Sequence, residues 1–215
     1  RPVARSRASL VEAISRIGSV WCVWAHLVQK RYYFRLQTSR PGPMAKSDSF
    51  FIRASCDIGN NNATEWNQTN IDLGAYVDAL GKSVLRIHNI AVSITDADGA
   101  SPDLLADKDG AAQFQISTQS QTGLVLATNK GLVASGMVNA EETSGADGVA
   151  GNVSESYDNL PQLWTNGYLV AVETMYLSGQ ASTGFKEAVT VSVVMECTVE
   201  SMTKDAAMAL ALSQQ

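Results

Sequence analysis

The clearest periodicity in the chain is "VTVSVVMECTVE", residues 189–200, where apolar and polar side chains alternate with period two. Val189, Val191, Val193, Met195, Cys197 and Val199 share one face, and Thr190, Ser192, Val194, Glu196, Thr198 and Glu200 share the other. A run of this kind predicts a long, half-buried antiparallel strand. "VLRIHNIAVSIT" at 84–95 predicts a second, with Ile90, Val92 and Ile94 inward and His88 on the side of Val84, Arg86 and Ile90. "AQFQIS", "GLVLAT", "GLVASGMV" and "GYLVAVETMYL" read as further strands, the last with Val170, Val172, Thr174 and Tyr176 on one face. "SFFIRAS" and "TNIDLGAYV" bring the number to about eight.

No amphipathic helix separates these strands, so the pattern predicts an all-β antiparallel sandwich, jelly-roll-like in its two sheets and long connections. The longest connection, residues 139–166, holds no strand signal, and long loops on a rigid sandwich commonly do the recognising. The chain closes with "TKDAAMALALSQQ", which predicts a short helix over 203–215 with Thr203 as its cap and Asp205 in its first turn. A helix so short must dock on something, and Met208 and Leu212 mark an apolar side suited to a subunit interface.

Ahead of the sandwich the pattern is different. Leu10, Ile14, Ile17 and Trp21 recur at helical spacing, followed by the basic aromatic stretch "RYYFR" and the helix-stopping "PGP" at 41–43. The divisions expected are therefore a basic segment over 1–43, a β-sandwich over 44–202 and a helix over 203–215. Charge sharpens the first boundary. Residues 1–53 hold ten Lys and Arg against two acids, and the remainder holds six against nineteen. Such a split implies partners of opposite charge. One reading of 1–43 is a nucleic-acid arm, with Arg31, Arg35 and Arg40 on phosphates and Tyr32 and Tyr33 stacking on bases. The others are a cleaved organelle leader, a helix lying on a membrane surface, or upstream sequence absent from a mature protein beginning near Met44.

Chemistry is sparse. Two histidines, His26 and His88, cannot supply a histidine-rich metal site, and no nucleophile is spaced for a triad. Neither a phosphate loop nor a Cys-x-x-Cys pair occurs, so the reading is not an enzyme. Cys22, Cys56 and Cys197 are too few and too scattered for a disulfide framework and read as buried thiols, with a Cys56–Cys197 bridge left open. Asp96, Asp98 and Asp107 fall in one acidic stretch, "TDADGASPDLLADKDG", where calcium is a candidate ligand and Asp-Gly turns are the plainer explanation. Asn62, Asn67 and Asn152 head glycosylation sequons that matter in a secreted protein. No stretch approaches the roughly 18 apolar residues that span a bilayer.

With "VLRIHNIAVSIT", "FQISTQSQTGLVLATN" and "VTVSVVMECTVES" leading into a terminal helix, the body resembles viral coat proteins of the jelly-roll type. The resemblance covers roughly 47–215 and is architectural, without a diagnostic motif. It implies a homo-oligomeric shell in a virion, other capsid proteins as further partners, no cofactor and no catalysis. The alternative is a secreted or cell-surface sandwich that binds a glycan or protein through residues 139–166.

Overall fold

The computed structural model describes residues 48–59, 66–78 and 82–215. They belong to the second of two units into which the chain divides, Ser47–Gln215. Eleven strands are present among them: β1 (Phe50–Asp57), β2 (Asn67–Asp72), β3 (Ser83–Thr95), β4 (Asp103–Leu104), β5 (Gly110–Ser117), β6 (Leu132–Glu141), β7 (Gly148–Val149), β8 (Asn152–Asn159), β9 (Tyr168–Val170), β10 (Thr174–Ala181) and β11 (Thr190–Ser201). A 3-10 turn, Pro161–Leu163, precedes β9, and one helix, α1 (Lys204–Ser213), ends the chain.

A four-stranded sheet runs β1-β11-β3-β9, and a five-stranded sheet runs β2-β10-β5-β6-β8. Setting aside the two-residue pair β4·β7 and the edge strand β8, eight strands remain. The first of these pairs with the last, the second with the seventh, the third with the sixth, and the fourth with the fifth, all antiparallel. That nesting is what results when one long hairpin is rolled up on itself. It defines a jelly roll.

Between the sheets lies one core. Phe114, Ile116, Leu177 and Met175 of the five-stranded sheet face Leu85, Ile87, Val191, Val193 and Met195 of the other, all at most 1% exposed. Phe185 and Leu104 close one end, where the backbone of Gly110 passes so near both side chains that a Cβ has no room. Each large apolar side chain buried here contributes about 1.5–3 kcal/mol.

Along β3 the inward positions are Leu85 and Ile87, then Ile90, Val92 and Ile94. The two series differ in parity because the β3·β11 register jumps: Cys197 faces Ile87 and Glu196 faces Asn89, leaving His88 unpaired in a bulge. His88 therefore does not share a face with Ile90. An extra residue on one strand inverts the alternation beyond it. Val84 lies on the opposite face from Leu85, beneath α1.

Three strand expectations differ from the fold. "GLVLAT" forms a loop laid over β5, where the Gln115 side chain takes up the backbone N–H and C=O of Val125. "GYLVAVETMYL" is not one strand: it leaves the four-stranded sheet after Val170 and enters the five-stranded sheet at Thr174. Ala171 and Val172, buried at the crossing, keep the run apolar without either Gly or Pro to mark the corner. Residues 139–166, expected to lack strands, contain the end of β6, β7 and all of β8. β8 reads "NVSESYDN" and is an edge strand whose exposed first half has little to bury, so it carries no apolar alternation.

Candidate functional site

Three surface features stand out among the described residues. On the outer side of the five-stranded sheet, β5, β6 and β8 form the floor of a groove of about 430 Å³, walled by the loop that connects β5 to β6. Leu124, Leu126 and Met137 line it and stay exposed, Leu126 at 80%. The wall is held rigidly. The buried Gln115 carboxamide donates to Val125 O at 2.6 Å and accepts from Val125 N at 3.0 Å. Nearer its start, the loop is tied by Trp66 Nε1, which donates to Gln121 O at 2.8 Å, and by Gln121 N, which donates to Gln68 at 3.0 Å. Below, the register of β6 and β8 shifts between Ser135 and Met137, and the Tyr157 ring lies so close to Gly136 that no Cβ fits.

A second surface projects from the edge of the four-stranded sheet. The turn at Pro161–Leu163 carries Leu163 and Trp164, both 57% exposed. Gln162 anchors it, accepting from Ile90 N at 3.1 Å and donating to Ile90 O at 3.0 Å. On the far side, Arg86 Nη1 donates to Asn166 O while the same guanidinium grips Glu200, with Nη2 to Oε2 at 2.8 Å. Gly167, at φ 62°, passes against the Ile87 carbonyl in a conformation that favours glycine. This Trp-bearing turn is fixed at both ends.

Helix α1 supplies the third. Thr203 Oγ1 accepts from Ala206 N at 3.3 Å, as a capping threonine should, and Asp205 lies in the first turn. The helix docks on its own sandwich through Ala207 and Ala211, which pack with Val84 and Ala171. Met208 and Leu212, the residues expected at an interface, point away from that contact and are 40% and 63% exposed. Beyond the helix, Gln214 accepts from Ala171 N at 3.0 Å and donates to Leu169 O at 2.6 Å.

The acidic stretch behaves differently from the calcium expectation. Asp96 Oδ1 accepts from Asp98 N at 2.9 Å and from Ala100 N at 2.7 Å, which is turn chemistry. Asp107 sits at φ 56° in a separate turn. Among the described residues no three His, Cys, Asp or Glu side chains gather as a metal-holding group, so Asp96, Asp98 and Asp107 do not form one. Glu142, which sequence reading passed over, is an exposed carboxylate held by the donors of its own turn. Its exposed carboxylate accepts from Ser144 Oγ at 2.6 Å, from Ser144 N and from Gly145 N at 2.9 Å, and these bonds hold it down at about 2. The "Glu-Thr-Ser-Gly" spacing was the available signal.

His88 Nε2 lies 2.9 Å from Thr198 Oγ1, a structural pairing. Cys56 and Cys197 are buried and free. In the β1·β11 ladder Cys56 stands opposite Val191 and Cys197 opposite Phe50, six positions apart or about 20 Å, so no bridge joins them. Burial pushes both thiols up, Cys197 to about 12. Of the sequons, Asn152 is exposed at the start of β8, Asn67 is half-buried in β2, and Asn62 lies outside the described residues. Arg31, Tyr32, Tyr33, Arg35 and Arg40 also lie outside them, as do His26 and Cys22. No helix among the described residues is long and apolar enough to cross a membrane.

No protein-family model and no curated protein sequence matches the chain. Among solved structures, Merkel cell polyomavirus VP1 in complex with disialyllactose is similar at a TM-score of 0.36 and 7% identity, over 73% of this chain and 97% of that one. VP1 of the trichodysplasia spinulosa-associated polyomavirus, in complex with sialylated glycooligomers, is similar at 0.34 and 8%, over 74% and 97%. Desmodium yellow mottle tymovirus is similar at 0.29 and 9%, over 77% and 97%. These are architectural likenesses to viral capsid proteins, and the jelly roll itself is assigned from the strand order of this chain.

Proposed function

We propose that the chain is the self-assembling subunit of a closed shell, a coat protein built on a jelly roll, with no catalytic role. The observation that carries this reading is the placement of exposed apolar side chains in three clusters: Leu124, Leu126 and Met137 on one sheet, Leu163 and Trp164 at an edge of the other, and Met208 and Leu212 on α1. A monomeric protein has scattered exposed apolar residues, whereas clusters on several sides fit a subunit with several neighbours. The outer face of β1, β11 and β3 supports the same reading. Ser55, Ser192 and Ser93 align across it in one row and Arg53, Val194 and Ala91 in the next, so its centre is mostly small side chains and carries a single charge. The thiols, buried and raised, are poor nucleophiles, and His88 is engaged with Thr198.

In this reading residues 1–43 form the genome-facing arm, with Arg31, Arg35 and Arg40 neutralising phosphates and Tyr32 and Tyr33 stacking. A virion is then its location and other capsid proteins are further partners. Size-exclusion chromatography with light scattering tests the proposal. Multimers of many copies support it, and a mass that stays at 22.9 kDa at every concentration overturns it. The second reading, a secreted or surface module that binds glycan or protein through 139–166, draws on exposed Val149 and Val153 in that segment. It is the one favoured by a stable monomer.

A further inference from the structure

We infer that the Leu163–Trp164 turn of one copy seats in the groove between Leu124–Leu126 and Met137 of the next, as a knob-and-groove contact repeated from subunit to subunit. The inference rests on the assembly reading and names the contact that reading leaves unspecified.

Both partners are preorganised. The knob is fixed by the two Gln162–Ile90 hydrogen bonds on one side and by Arg86 on Asn166 O on the other. The groove wall is fixed by the two Gln115–Val125 hydrogen bonds. Ordering such surfaces on contact therefore costs little further entropy. An exposed tryptophan with a leucine beside it, on a turn that cannot collapse inward, is the kind of anchor that dominates an interface.

Charge narrows the choice of occupant. Asp158 is the one charged residue lining the groove, and its carboxylate already accepts from Ser156 Oγ at 2.5 Å. Residues 161–167, "PQLWTNG", carry no charge. An uncharged knob matches an almost uncharged groove. The basic segment 1–43 would need an acidic cradle, which this groove is not. At about 430 Å³ the groove has room for an indole ring with an aliphatic neighbour.

Knob and groove are different patches of the same molecule, so a contact made once per pair of copies is head-to-tail. A contact of that kind leaves a free knob and a free groove at the ends until a ring or shell closes.

The experiment uses two full-length variants, Trp164→Ser and Leu126→Glu, each at an exposed position, with melting temperature as the control for folding. Sedimentation should show that each alone loses the large species that the unsubstituted chain forms. Mixed, they retain one intact knob and one intact groove, so a 1:1 heterodimer should form and grow no further through this contact. Assembly of either variant to the wild-type size overturns the inference and leaves the assembly reading standing. Loss of assembly in both with no heterodimer on mixing also overturns it, since the two surfaces then do not meet each other. An unsubstituted chain that never assembles removes both.

Discussion

The Gln162 side chain pairs with the backbone of Ile90 as a neighbouring strand would, accepting from its N–H at 3.1 Å and donating to its C=O at 3.0 Å. β9 covers the edge of β3 only from Leu85 to Ile87, and Gln162 continues the pairing beyond it. Gln115 does the same for Val125, and Gln214 for Leu169 and Ala171. Gln162 and Gln214 thus complete hydrogen bonding at an edge of the four-stranded sheet, while Gln115 holds a loop over the face of the other, and each fixes a surface feature.

Replacing Gln162 by alanine should therefore do two things. The part-buried Ile90 N–H and C=O lose their partners, at a cost of about 1–3 kcal/mol. The Trp164 turn is then released, so assembly should weaken more than stability does. Chemical denaturation beside sedimentation separates the two effects. A variant as stable and as assembled as the parent would show that the carboxamide does neither.

Val193 faces the core at 1% exposure while Ser192 faces out between Ser55 and Ser93. Val193→Asp should cost several kcal/mol by placing an unpaired charge among apolar side chains. Ser192→Asp should leave the monomer's melting temperature nearly unchanged. If Ser192→Asp blocks assembly without unfolding, the serine face is itself a contact.

Glu142 gives a pH prediction with a fixed sign. Its carboxyl is held at about 2, below the ordinary value of 4.5, chiefly by the Ser144 hydroxyl and backbone. A depressed folded value means that its contribution is fully present above the ordinary carboxylate range. That contribution is lost as pH falls from there through about 2. Carbon-detected NMR titration of this carboxyl should show the late protonation, and Ser144→Ala should move it upward. Protonation near 4.5 in the unsubstituted chain would mean that the 142–145 turn is open in solution.

How much of this was legible beforehand depends on what each residue had to bury. β11 announces itself because its alternation serves a core on one side and an exterior on the other, and β5 because polar residues alternate with core ones even where a loop covers its outer face. β8 was invisible because an edge strand with a solvated half needs no apolar series. The His88 bulge inverted parity in a way no periodic count contains, since the extra residue is dictated by pairing with β11. The turn from β9 to β10 hid inside a continuous apolar run for a similar reason: burial continues where the chain changes sheets. As for the surfaces, Met208 and Leu212 could be read from helical spacing, but the groove could not. It is made by Gln115 holding a distant loop, and a glutamine in a strand gives no hint of which backbone it will meet.

Helix α1 tests whether docking and exposure are separate properties. Ala211 is packed in its contact with Val84 and Ala171, and Leu212 is 63% exposed. Ala211→Phe should dislodge the helix by overpacking, at about 1–3 kcal/mol. Leu212→Ser should leave folding intact and reduce assembly. Amide hydrogen exchange over 204–213 checks the first and sedimentation the second. Unchanged protection in Ala211→Phe would mean that the sheet surface beneath can yield.

Native mass spectrometry of the full chain measures directly how many copies the native particle holds. The prediction is a high-mass series at integer multiples of the chain mass, converging on one closed assembly as concentration rises. A single species at 22.9 kDa across that range would contradict it.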